Sequence, residues 1–299
     1  MSSGAVALRD DRGRRYRFAS PPRRVVSLVP SDTYSLVRLG VGDRLIGRSR
    51  YCVAPVGLVE SVEIVGGTKD ADVERIIALA PDVVIANQEE NTKSDVEQLE
   101  AAGLRVLVSF PRTVSAGLAH LARLAVLFGG AAELPAAKAV IKEAYEVHRD
   151  ACARRAASPP VRVFLPIWMD PLMTIDGDTF ISDALDLVGA VNVFSDRHRR
   201  YPLAADLGLA EPLPASKVGD RDVRYPRVTR DEIVRRRPDL VLLPDEPHEF
   251  TEADANFFRG LELPVSVQFC DGKDLMWYGA RSVEGLGRLR ALVDSARPR

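Results

Sequence analysis

Two distant stretches of this chain carry the same pattern in different residues. Glu74 to Glu90 reads ERIIALAPDVVIANQEE, and Asp231 to Pro247 reads DEIVRRRPDLVLLPDEP. Aligned without a gap, they set an acid over an acid at the start, Ile76 over Ile233, Pro81-Asp82 over Pro238-Asp239, and Val83 to Ile85 over Leu240 to Leu242. The common pattern is a helix, a Pro-Asp break and a buried strand. Proline stops a helix, and an apolar run without polar alternation reads as a strand covered on both faces. A weaker echo sets Val25 to Pro30 (VVSLVP) over Val161 to Pro166 (VRVFLP), each a strand ending at proline. Two matches in the same order predict two lobes of similar topology.

The rest of the chain fits that plan. At about 150 residues per domain, a chain of 299 residues supplies two lobes, each large enough to bury a core. Ala5 to Leu8 and Tyr16 to Phe18 flank the turn signal Asp10-Asp11-Arg12-Gly13 and predict a hairpin. Arg24 to Val29 predicts a strand that stops at Pro30, with Ser31-Asp32-Thr33 as N-caps for a helix through Leu39 that Gly40 ends. Short apolar runs at Leu45 to Ile46, Asp82 to Ala86 and Arg105 to Val108 alternate with helical segments near Val73 to Leu79 and Ser94 to Ala102. Such alternation predicts a mostly parallel α/β sheet. Pro135 to Ala157 has no glycine or proline after its first residue, and Val140, Ile141, Tyr145 and Val147 recur at helical spacing. It predicts one helix of over about 30 Å, stopped by Ser158-Pro159-Pro160. The expected fold class is therefore α/β, with two similar Rossmann-like lobes of mostly parallel strands joined by one long rigid helix and a ligand cleft between them. The expected divisions are an N-terminal lobe over 1–132, a connecting helix over 133–158 and a C-terminal lobe over 159–299.

Composition excludes several classes. Lys and Arg number 41 against 42 Asp and Glu, so there is no basic excess to hold nucleic acid. Cys52, Cys152 and Cys270 are far apart with no CxxC spacing, so they read as reduced thiols. Met1 to Phe18 lacks the apolar core of a signal peptide, and no run approaches the roughly 20 apolar residues of a membrane span. As written, the chain is expected to be a cytoplasmic monomer, or periplasmic or extracellular if a leader was removed. There is no GxSxG, Walker loop, GxGxxG or HExxH. His120 and His148 read as helix residues and His198 as part of a solvated Arg197-His198-Arg199-Arg200 loop. Only His248 follows a buried strand with acids beside it, a weak metal ligand candidate.

In open α/β sheets, ligands bind at the loops beyond the carboxyl ends of the strands. In the first lobe those loops carry Ser31, Tyr51, Asn87, Gln88, Glu89 and Arg112. In the second they carry Trp168, Asp245, Glu246, Trp277, Tyr278 and Arg281. Each has a bland alternative: Trp168 as core, Arg281 as a surface ion pair, the Asn87 run as a solvated turn. Their shared location and mixed aromatic and polar character suit a bulky, partly apolar ligand.

The order RVVSLVPSDTYSLVRLGVGDRLIG, VERIIALAPDVVIA, a long helix, VRVFL, TFISDALDLVGAVNVF and DEIVRRRPDLVLLP resembles the helical-backbone substrate-binding proteins of iron-siderophore and cobalamin ABC importers. The resemblance implies two α/β lobes joined by a rigid helix, with the ligand between them, and aromatic cleft positions at Tyr51 and Trp168. It also implies a permease partner docked through one acid on each lobe, here Glu74 and Asp231. Tyr201 to Tyr225 is longer than the family's corresponding segment. The implied function is non-enzymatic binding of a cobalamin-like corrinoid, haem or ferric chelate, held as ligand rather than cofactor. Two other readings stand beside it. One is a cytoplasmic enzyme or metallochaperone using Asp245, Glu246 and His248, and the other is a degenerate receptor whose cleft is filled by its own side chains.

Overall fold

The computed structural model describes residues 5–130, 134–155 and 159–297. The chain forms two compact units, Met1–Val147 with Trp277–Val283, and His148–Met276 with Glu284–Arg299. The expected divisions near 132 and 158 adjoin residues 131–133 and 156–158, which lie outside the described residues. Trp277–Val283, expected in the second lobe, clusters instead with the first unit, so the chain re-enters that unit near its end.

The first unit opens with the predicted hairpin, β1 (Val6–Arg9) antiparallel to β2 (Arg15–Phe18). Its main sheet comprises β3 (Val25–Ser27), β4 (Leu45–Arg48), β5 (Val83–Asn87) and β6 (Val106–Ser109), all parallel in the order β4-β3-β5-β6. The second unit contains β7 (Val161–Phe164), a small antiparallel hairpin of β8 (Pro166–Met169) and β9 (Leu172–Thr174), then β10 (Ala190–Asn192), β11 (Leu240–Pro244) and β12 (Ser266–Cys270). Its main sheet is parallel in the order β10-β7-β11-β12. In both sheets the strands that come first and third within their sheet are the central pair. Both β5 and β11 are buried along their whole length, as continuous apolar runs require. Each unit has its own core, around Leu28, Ile76 and Leu99 in the first and Phe164, Phe194 and Phe258 in the second.

Strand register corrects one expectation. Val25 pairs with Val83, and Val163 pairs with Leu240. Because Val83 and Leu240 are equivalent in the strong repeat, Val25 is equivalent to Val163, and the weaker echo is slipped by two residues. A slip of two leaves every side chain on its own face of a strand, so the apolar pattern looked right in the wrong register.

Helix ends differ from expectation too. The first helix spans Pro30–Arg38, with Val29 at its N-cap and no side-chain cap. Proline does not end β3 and stand outside the helix; it is the first helical residue, where its fixed φ is already suitable. Ser31, Asp32 and Thr33 are buried in the first turn. The long helix is described over Pro135–Arg155, and its buried line is Ala137, Ala144 and Ala151, while Tyr145 is exposed.

The repeat has a physical basis at its Pro-Asp breaks. Ala80 and Arg237, the residues before the two prolines, both take a left-handed backbone, at φ 45° and 46°. That turn ends each helix and directs the chain into the next strand. Asp82 Oδ2 then accepts hydrogen bonds from the N–H groups of Arg23 and Arg24, at 2.8 and 2.9 Å. Asp239 Oδ2 accepts one from the N–H of Arg162, at 2.9 Å. In return the Arg24 side chain donates to the carbonyls of Leu79 and Ala80, at 2.6 and 3.4 Å. Arg162 does the same to those of Arg236 and Arg237, at 2.5 and 3.1 Å. These carbonyls are the open ends of the preceding helices. Asp82→Ala and Asp239→Ala are each expected to lower stability by about 1.5 kcal/mol, the scale of hydrogen bonds to a charged acceptor, as read by urea unfolding.

Candidate functional site

In the first unit the expected ligand residues divide by burial. Tyr51, just beyond β4, is 52% exposed, with the Arg50 guanidinium 5.9 Å from its ring centroid. Gln88 and Arg112 are also exposed and Glu89 is half-buried. Asn87 is buried and shapes the loop: its Oδ1 accepts from the N–H groups of Glu89 and Glu90, at 2.7 and 3.2 Å. Asn91 Oδ1 accepts from the Asn87 N–H at 2.8 Å, fixing the other side of the same turn. Ser31 is buried as well and presents no surface for a ligand.

Beneath these loops lies a buried polar network that the sequence did not reveal. Asp32 is fully buried, and its Oδ1 sits 2.9 Å from Nε2 of the equally buried His120. Its Oδ2 accepts from the Tyr278 hydroxyl at 2.9 Å. Tyr278 also bonds Ser109 Oγ at 2.8 Å and accepts from Asn87 Nδ2 at 3.2 Å. Burial, and then the Asp32 carboxylate, push the Tyr278 hydroxyl well above its ordinary range, so it stays protonated and able to donate. These partners come from five separated parts of the chain, and no local spacing signals them. Trp277 is buried edge-on to Tyr34, with centroids 6.2 Å apart, and the Arg281 guanidinium lies 5.9 Å from the Tyr34 centroid. Trp277 and Tyr278, expected as ligand contacts on the second lobe, are thus core residues of the first unit.

The second unit presents Trp168 on the β8-β9 hairpin, 43% exposed, with its Nε1 donating to the Asp170 carbonyl at 2.9 Å. Its ring lies 5.2 Å from that of His248, which in turn meets Phe250 edge-on at 4.7 Å. His248 therefore belongs to an aromatic stack. Asp245 Oδ1 accepts from the Gly272 N–H at 2.7 Å, and Lys273 Nζ is 3.8 Å from its Oδ2. Glu246 is half-buried beside them. Among the described residues no group of three His, Cys, Asp or Glu side chains could hold a metal ion, and Asp245, Glu246 and His248 form no such group.

His198 departs most from expectation. It is exposed, but its Nδ1 lies 2.8 Å from Oδ2 of the fully buried Asp176. The sequence places His198 shortly after β10, at a strand end, which is a signal; Asp176 as its partner is not legible.

Glu74 and Asp231 occupy equivalent positions in the helices Val73–Ala78 and Arg230–Arg236, and both are exposed. The caps of those helices are other side chains. Asp72 accepts from the Arg75 N–H in the first, and Thr229 and Glu232 form a reciprocal capping box in the second.

Two parallel α/β units of one plan, with the chain passing between them through a long helix, have the architecture of a two-lobed solute-binding protein. A family model described as Periplasmic binding protein matches residues 25–259, and the chain belongs to that family. It is 27% identical over 247 residues to the vitamin B12-binding protein of Yersinia pestis (strain Pestoides F), covering 83% of this chain and 78% of that protein. The fold is shared with the periplasmic vitamin B12 binding protein BtuF of Vibrio cholerae, at a TM-score of 0.73 and 20% identity, over 93% of this chain and 99% of that one. It is also shared with the periplasmic heme-binding protein RhuT from Roseiflexus sp. RS-1, at a TM-score of 0.71 and 18% identity, over 92% and 99%. Among the described residues no helix is long and apolar enough to cross a membrane.

The two tryptophans should respond oppositely to truncation. Trp277→Ala is expected to cost about 3–5 kcal/mol of stability, as for a buried tryptophan. Trp168→Ala should stay within about 1 kcal/mol of wild type in the same unfolding measurement, because its ring is already partly in water.

Proposed function

We propose that this chain is a non-enzymatic receptor for a metal-bearing chelate, a cobalamin-like corrinoid, haem or a ferric chelate. The supporting observation is the pair of half-exposed aromatic rings, Tyr51 and Trp168, each beyond the carboxyl end of a parallel strand in its own unit. Large aromatic side chains are normally buried, and rings left open at strand ends suit a flat, partly apolar ligand. Gln88, Glu89, Arg112, Asp245, Glu246 and Arg281 are the polar groups proposed to line the same sites, with Asn87 acting as their support. The similar Yersinia protein is named for vitamin B12, and a protein of the same fold, RhuT, is named for heme, both ligands of this class.

Titration with cobalamin, haemin and a ferric siderophore, followed by tryptophan fluorescence, tests this reading. Saturable quenching by at least one of them is expected, and Trp168→Ala should weaken it by about 1–3 kcal/mol. No response to any of the three overturns the proposal.

The proposed partner is an ABC permease, engaged through Glu74 and Asp231. Neither acid serves as a cap, so their exposed carboxylates are available to arginines on a partner, in contacts that weaken with salt. Glu74→Arg combined with Asp231→Arg is expected to abolish ligand uptake by cells while leaving affinity for the ligand unchanged. Unchanged uptake refutes the docking role. Fractionation decides the compartment: recovery in the periplasm or outside the cell accords with import, whereas recovery in the cytoplasm leaves a receptor without a transport role.

A further inference from the structure

The His198 loop is built to a standard that an idle solvated loop does not need. Arg197, only 5% exposed at its side chain, donates through Nη1 to Asp206 Oδ1 at 3.0 Å and through Nε to Glu232 Oε1 at 3.2 Å. Its Nη2 reaches the Asp206 carbonyl at 2.8 Å, and its Nη1 also bonds the carbonyl of His198 itself. The backbone of the histidine is therefore tied to a buried guanidinium. Its ring is tied separately, because Nδ1 lies 2.8 Å from Asp176, whose side chain is 1% exposed. Asp176 is held in turn: its Oδ1 accepts from the Asp178 N–H at 2.8 Å, and its own N–H donates to the Arg224 carbonyl at 2.8 Å.

A carboxylate on Nδ1 fixes the tautomer with the proton on that nitrogen and leaves the Nε2 lone pair as the donor, the arrangement that supports histidine as a metal ligand. The His198 side chain is 63% exposed, at the same carboxyl edge of the second unit's sheet as the Trp168 hairpin. One imidazole offers one bond. That bond suits a metal whose remaining positions are filled by its own chelator.

We infer that His198 Nε2, oriented by Asp176, is a protein-derived axial ligand to the metal of a tetrapyrrole held on this face. The inference rests on the receptor reading above and adds the coordinating residue. Binding is a ligand exchange: the Nε2 lone pair enters an axial position of the metal, the water or anion held there leaves, and no electrons are transferred. Arg199 and Arg221 flank the Tyr201 ring, at 5.5 and 5.4 Å from its centroid, placing positive charge in the same loop region.

The test uses the full chain, titrated separately with haemin and with aquacobalamin. Absorption spectra report axial ligation and tryptophan fluorescence reports binding. Wild type is expected to give an imidazole-ligated spectrum with at least one macrocycle, and the responding one identifies the ring. His198→Ala should still quench fluorescence but lose that spectrum, and added imidazole should restore it. Asp176→Asn, which keeps the imidazole but weakens its orientation, should bind the same macrocycle about 10- to 100-fold less tightly. Binding by His198→Ala with a spectrum identical to wild type overturns the inference and leaves the receptor reading intact. Failure of wild type to bind either macrocycle removes the inference together with the tetrapyrrole reading.

Discussion

The reciprocal contact between Asp82 and the start of β3, repeated between Asp239 and the start of β7, sets the frame for both units. The aspartate holds the backbone N–H groups at the entry of the first strand, and the arginine of that strand closes the carbonyl end of the preceding helix. One contact thereby fixes three things: where the helix stops, where the third strand begins and how that strand pairs with the first. In parallel sheets the register decides which residues emerge at the carboxyl edge, and in the second unit the latched strand β7 leads directly into the hairpin that carries Trp168. The left-handed residues Ala80 and Arg237 are part of it, since an abrupt helix end is needed to bring Asp82 and Asp239 to the strand entries.

Support and presentation are separate tasks in this chain. Asp32, His120, Ser109, Asn87 and Tyr278 form a network without solvent access under the first unit's loops, and it brings residues from the end of the chain into that unit. A buried carboxylate is tolerated only when hydrogen-bonded on both oxygens, and Asp32 meets that requirement. In the second unit the buried charges do the same for an irregular segment. Asp206 collects Arg197 and the N–H groups of Arg200 and Arg227, so the long stretch after β10 is anchored at both ends. The exposed groups, Tyr51, Trp168 and His198, stand on these supports.

Much of the fold was legible because it depends on short-range chemistry. The Pro-Asp breaks, the apolar runs of β5 and β11, the hairpin around Asp10 to Gly13 and the long helix after Pro135 are all written in adjacent residues. Errors arose where two structures share one local pattern. The VVSLVP and VRVFLP echo slipped by two residues because strands repeat every second residue. Pro30 was read as a strand terminator when it is the first residue of a helix. The buried line of the long helix is alanine, which reads as a helix former as readily as a packing residue.

The sequence by itself determined the two-lobed α/β plan and the repeat that relates the lobes. Tertiary structure decided which of the strand-end residues face solvent. Trp277 and Tyr278 have the composition of a ligand site and are core, while His198 reads as part of a solvated basic loop and is an imidazole held by a buried carboxylate. The physical reason is that burial of an aromatic ring and the second partner of a histidine are set by residues far away in the chain, Tyr34 and Asp32 for the first pair and Asp176 for the last. Periodicity reports which face of its own element a residue occupies, and it carries no record of what packs against that face.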